Sequence, residues 1–236
     1  MDTNIKTLVD LIVCRARVDK TAPSFTNPRG WNTDNLMGDV DALVVGQNND
    51  PFTYAHICKR VLAKVRDLPE MAVLTKLAIL RGERLLPIGS EREKYILQFA
   101  MEIESAISAL PDGTRKMRCQ SLFKYHMATF YDVCGHFDLA IAAHELSAKE
   151  ADCFNDRTGA AISHFMETFY RLKEAVCKGN HPTRWQVIFL NLERKLARLL
   201  EAVRGTSLEV QWTENALAHM KEARELLLKP TRPSAL

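Results

Sequence analysis

The side chains with most chemical reach in this chain of 236 residues cluster between positions 119 and 144. His126, Cys134, His136 and His144 stand there with Cys119 nearby. Imidazole and thiolate are donors that zinc prefers, but three or four must meet one ion at about 2.0–2.3 Å. His126 and Cys134 can share a helical face, whereas His136 falls in an expected turn, so no ligand quartet has the required spacing. Cys177 and His181 are close in sequence, with Gly179 ending the helix between them. Neither a metal nor a cofactor is expected.

Other chemistries fare no better. Six cysteines and seven histidines supply nucleophiles and bases, yet no strand–turn–helix context activates a Ser or Cys. Phosphate-cradling glycine loops are missing. Asp34, Asp39 and Asp41 lack the terminal Glu and the spacing of a calcium loop. Glu102 and Glu104 point to different sides of one helix, so they cannot act as a carboxylate pair. Cys14, Cys58, Cys119, Cys134, Cys153 and Cys177 form no CxxC pair and read as buried free thiols. Residues 1–20 are amphipathic and lack a signal peptide's apolar core, so a cytosolic location is expected. With no apolar run near the ~18–20 residues of a membrane span, no membrane partnership is expected. A net charge of +3 is too small to imply nucleic acid.

The elements that must position these groups are helical throughout. Ile5, Leu8, Val9, Ile12 and Ala16 make an apolar stripe over about 3–19. Residues 20–50 are broken by Pro23, Pro28, Gly30, Gly38 and Gly46, which predicts a long loop with a short helix at about 33–45 and Trp31 as its anchor. Asp50-Pro51 opens a helix, and Leu68-Pro69 ends it and opens another through about 85. Ser90 to Glu93 has capping-box spacing before an amphipathic helix that Pro111-Asp112-Gly113 stops. Helices follow at about 115–135, 137–154, 157–178 and 182–204. Thr206 to Glu209 then forms a second capping-box pattern before a last helix. Short connections make about nine or ten such helices antiparallel neighbours. The fold class is therefore all-α, an array of antiparallel helical hairpins, with a compact helical bundle as the alternative. Residues 1–50 are expected to pack on a helical-repeat-like domain at 51–228, with a flexible tail at 229–236.

One segment carries a family pattern. Ala128, Tyr131, Gly135, Phe137 and Ala140 place small, aromatic, glycine, aromatic and small side chains in the order that resembles a tetratricopeptide repeat over about 121–154. In that family, the small residues let two helices approach, the aromatics fill the groove beside them, and the glycine ends the first helix. Lys124, Met127, His144 and Asp152 depart from the pattern, the last three replacing a leucine, an aromatic and the closing proline. Shifting by ~34 residues lands on Ile162, Phe165 and Phe169, but the glycine is missing and Glu174 takes the second small position. A single unit cannot bury its own faces, so the helical pairs at about 51–85, 90–110 and 157–204 are expected to act as degenerate units.

The resemblance implies a non-enzymatic scaffold or adaptor that binds a peptide or partner domain in a helical groove. Lys124, Thr129 and Asp132, which lie off the Phe123–Met127–Phe130 stripe, are the expected partner-binding residues. An alternative is a helical enzyme or small-ligand sensor with a site near residues 20–50, using Trp31, Asp34 and Asp39. A further alternative is an RNA or acidic partner on the basic side of 182–204. There Arg184, Arg194, Lys195 and Arg198 fall within roughly 100° of one another, away from the Trp185–Leu192–Leu199 stripe. Glu193 and Glu201 dilute that field, and no aromatic interleaves it.

Overall fold

The computed structural model describes residues 51–84, 86–206 and 208–228, together with Val9, Asp10 and Val13. Most of the helix expected at 3–19, the 20–50 segment with Trp31, Asp34 and Asp39, and the 229–236 tail lie outside the described residues. Among the described residues there are eight helices and no strand. They are α1 (Pro51–Lys64), α2 (Pro69–Glu83), α3 (Ser90–Ser108), α4 (Thr114–Val133), α5 (Phe137–Cys153), α6 (Arg157–Cys177), α7 (Pro182–Val203) and α8 (Glu209–Leu228). The chain divides into two compact units between Asp112 and Gly113, within the 51–228 segment that the sequence reads as one domain.

In the first unit α2 packs against both α1 and α3. It is buried around most of its circumference, by Met71, Leu74, Leu77, Ile79 and Leu80 among others, as a core helix must be. The Glu83 carboxylate is buried near its end. It accepts hydrogen bonds from Lys59 Nζ at 2.6 Å and Arg92 Nη1 at 3.2 Å, and this pairing offsets its desolvation. Helix α3 is one-sided, burying Ile96, Phe99, Ala100, Ile103 and Ile107. The capping box expected at Ser90 does not form. Ser90 is already helical, extended Gly89 holds the cap position, and its carbonyl accepts from Glu93 N at 2.9 Å.

In the second unit each of α4 to α8 packs on its sequence neighbour, and α6 also touches α8. Side-chain contacts fix α6 and α7 as antiparallel. Trp185 at the start of α7 donates Nε1–H to the Ala175 carbonyl near the end of α6 at 3.1 Å. Thr158 at the start of α6 reaches the Ala202 carbonyl near the end of α7 at 3.0 Å. Three helices end in the same way. Gly135, Asn155 and Gly179 adopt positive φ. The next residue's N–H closes the turn in each case: His136 to Tyr131 O, Asp156 to Ala151 O and Asn180 to Ala175 O, at 2.8, 2.9 and 3.0 Å. Gly135 thus ends its helix as the family pattern implies. Asp156 caps α6 by accepting from Gly159 N at 2.8 Å. A Cβ on Gly159 would stand 2.6 Å from Asp156 Oδ2, so a larger residue there would have to shift the capping carboxylate.

The second capping box, expected from Thr206 to Glu209, does not close: the Thr206 N–H goes to the Val203 carbonyl and the Glu209 N–H to the Thr206 carbonyl. Glu209 instead reaches back to Gly205 N at 2.7 Å, and Thr206 Oγ1 accepts from Leu208 N at 3.2 Å. The Trp185–Leu192–Leu199 stripe is buried as its spacing requires. Val203 is also buried on α7, and Trp212, Ala216, Met220 and Ala223 on α8. Alternate helices begin at Thr114, Arg157 and Glu209. These hairpins are longer than the ~34-residue family unit, so a shift of that length compares non-equivalent positions.

Candidate functional site

The α4–α5–α6 layer is drawn together by small side chains. Ala128, Ala140, Ala148 and Ala151 are all fully buried. Ser121 Oγ donates to the Ser147 carbonyl at 3.0 Å, and Ser147 Oγ donates back to the Ser121 carbonyl at 2.9 Å. Ser163 Oγ lies 3.0 Å from Ser147 Oγ. Since the Ser147 proton is committed to Ser121, Ser163 is the donor in that contact. A hydroxyl reaching a facing main-chain carbonyl requires backbones in close approach, which one residue of each helix here permits.

Aromatic rings fill the space beside this ladder. Trp212 of α8 meets Tyr125 of α4 at 6.1 Å, and Tyr125 meets His144 of α5 at 5.5 Å. His144 in turn stacks on Tyr170 of α6 at 5.4 Å. His144, where the family prefers an aromatic, is fully buried and serves as a flat ring. His126 is also buried, edge-on to Tyr125. Two of the three histidines singled out as metal donors, His126 and His144, are thus packing groups. Among the described residues no three His, Cys, Asp or Glu side chains are grouped to hold an ion. Cys58 and Cys119 are buried free thiols, and Cys134 is half-buried. Cys153 and Cys177 are exposed, contrary to the expectation of burial, because both sit at helix C-termini where packing ends.

On the far side of this core, α4, α6 and α8 contribute to one polar site. Lys173 of α6 places Nζ 2.7 Å from Asp132 Oδ1 of α4 and 3.7 Å from Glu222 Oε1 of α8. The rings of Phe137, Phe169 and Tyr170 lie 5.2, 5.5 and 5.6 Å from the ammonium, within cation–π range. His219 packs on Phe169 at 4.7 Å, with Nδ1 4.0 Å from Glu222 Oε2. Burial pushes the His219 imidazole below its ordinary pKa. The carboxylates of Glu222 and Asp132 oppose the shift, and the Lys173 charge adds to it.

A second charged cluster lies on the opposite side of α6, between α5 and α7. Arg171 pairs with Glu145 of α5 and, at 2.7 Å, with Glu167. His164 lies between Asp152 and Glu167, at 3.8 and 3.6 Å. Burial raises the Glu167 carboxyl, but hydrogen bonds from His164 and Arg171, with the Arg171 and Lys195 charges, bring it below its ordinary value.

Of the expected partner-binding residues, Asp132 alone enters the three-helix site. Thr129 turns its hydroxyl onto the Tyr125 carbonyl at 3.2 Å. Lys124 lies 5.3 Å over the Phe123 ring and near Glu150, whose carboxyl burial raises and the Lys124 charge lowers. On α7, Arg184, Arg194 and Arg198 are exposed, and Lys195 is half-buried toward Glu167. Sequence reasoning missed Lys173, His219 and Glu222. Their helices are joined only through the fold, and no local spacing marks them. No described helix is long and apolar enough to cross a membrane. No protein-family model, curated protein or solved structure matches the chain.

Proposed function

We propose that the unit from Gly113 onward is a non-enzymatic interaction scaffold of a cytosolic protein, built like a tetratricopeptide array of longer hairpins. A peptide or partner domain docks along α4, α6 and α8. The observation that supports this most directly is the contact of Lys173 with α4 on one side and α8 on the other. Alternate helices standing in one row are what a helical array needs to present a continuous recognition surface. Lys124, Thr129 and Asp132 lie on the first helix of that row, and Glu222 and His219 on the last.

Capture from a native cell extract tests the reading. Lys124→Glu and Glu222→Lys are expected to reduce the retained partner while circular dichroism stays unchanged. Lys221→Glu, on the exposed side of α8, is the control. Equal retention by all three variants would remove the row as the binding face. Turnover of a small molecule by the purified chain would favour the enzyme reading instead.

A further inference from the structure

We infer that the outer face of α7 is a second docking surface, which takes an acidic amphipathic helical segment of a partner protein. Its position follows from helical spacing. With Trp185, Leu192 and Leu199 buried in the core, Val187, Leu190, Arg194 and Ala197 point away from it. They recur at alternating intervals of three and four residues, the spacing of a seam that a second helix covers. Val187 is 63% exposed and Leu190 56%, so two large apolar groups stand in water on the N-terminal half of this seam.

The flanks set the partner's charge. Arg184, Asn191 and Arg198 recur along one edge of the seam, and all are exposed. Within the same unit Arg171, Lys173 and Lys178 each contact a carboxylate. Arg184, Arg194 and Arg198 make no side-chain ion pair with a described residue. Their charge is available to a ligand, and glutamates flanking the apolar positions of a docked helix would meet it.

Two other occupants fit less well. A second copy lying parallel on this face would set Arg194 against Arg194. An antiparallel copy would set the Arg184–Arg198 edge against itself, and like charges across an interface are strongly unfavourable. Single-stranded RNA is held by aromatic stacking together with phosphate contacts. The aromatics of α7, Trp185 and Phe189, face the core cluster, so the outer face offers a base no ring to stack on. This surface belongs to α7 and does not depend on the α4–α6–α8 row.

The test uses the full chain and a fluorescent three-heptad peptide with leucine at the seam positions, glutamate on the flank that meets Arg184 and Arg198, and glutamine on the flank that meets Gln186 and Glu193. A scrambled peptide of identical composition and a uridine oligonucleotide are the comparisons, read by anisotropy. The designed peptide is expected to bind with micromolar Kd, and Arg194→Glu/Arg198→Glu and Leu190→Ser are each expected to weaken it about tenfold or more. Lys221→Glu on α8 should leave it unchanged. Should the double variant lose helicity, Arg198→Ala is read in its place. Equal affinity for the scrambled peptide, no loss in the α7 variants or no binding at all would each overturn the proposal. Preference for the oligonucleotide would reassign the face to nucleic acid. A dimer in sedimentation that Leu190→Ser dissolves would reassign it to a second copy.

Discussion

Lys173 on α6 holds its ammonium 2.7 Å from the Asp132 carboxylate of α4, across 41 residues of chain. The two side chains are only 18% and 20% exposed, so solvent screens them less than a surface pair. Lys173→Met keeps the stem that packs among Phe137, Phe169 and Tyr170 and deletes the charge. The expected loss of stability is about 1–3 kcal/mol, because the mostly buried Asp132 carboxylate is left without its closest cation. A double-mutant cycle with Asp132→Asn in urea isolates the pair, with an expected coupling of about 1 kcal/mol. Zero coupling would mean that the aromatic packing alone holds α6 in place.

The serine ladder makes a sharper demand on geometry. Ser147 donates to one helix and accepts from another, and its side chain is buried. Ser147→Ala should cost about 1–3 kcal/mol, since both neighbours lose a partner inside the core. Ser147→Val should cost more, because its branched carbons meet main chain where the hydroxyl made hydrogen bonds. If urea midpoints stay at the wild-type value for both, the three helices do not depend on this contact.

Ala128 and Ala140 test the close-approach positions themselves. Each has no exposed surface. Replacing either by Leu should overpack the hairpin at about 1–3 kcal/mol. Ala142→Leu, on the exposed side of α5, should stay within about ±0.5 kcal/mol. A melt in which Ala140→Leu and Ala142→Leu behave alike would refute the assignment of Ala140 to the helix contact.

Much of this fold was readable because helix ends are local events. Pro69, Pro182, Gly135 and Gly205 stand within a residue or two of observed ends, and apolar spacing located the buried Trp185–Leu192–Leu199 stripe of α7. Ser90 misled because capping depends on the backbone angles of the preceding residue. Gly89 is extended there, and a four-letter spacing does not report that. The candidate site was less readable for a different reason. Asp132, Lys173 and Glu222 meet only after α5 and α7 have set the distance between their helices. Asp132 was reached from its own helix; Lys173 and Glu222 carry no local signal. The exposure of Cys153 and Cys177 was missed because composition describes the average thiol rather than one at a helix terminus.

His219 makes the stability of the second unit depend on pH. Its imidazole is packed against Phe169, and burial holds its pKa below the unfolded value near 6.5, with Glu222 and Asp132 opposing and Lys173 assisting. The unfolded chain therefore binds a proton more readily than the folded one, and stability rises with pH across this window. The contribution is fully present above the unfolded pKa. It is lost progressively as pH falls below about 6.5 toward the depressed folded value. Two carboxyls remote from the Lys173 site also titrate away from their ordinary values. Glu167, held below its ordinary 4.5, contributes stability that is lost only under more acidic conditions. Glu150, raised above 4.5, contributes with the opposite sign as pH increases. Both are common to wild type and His219→Phe, so the difference between these two chains isolates the imidazole. Thermal melts at pH 7.5, 6.5 and 5.5 should show wild type losing more Tm on acidification than His219→Phe. Parallel losses in the two chains would show that His219 titrates alike in the folded and unfolded states, and that its packing on Phe169 does not exclude its charged form.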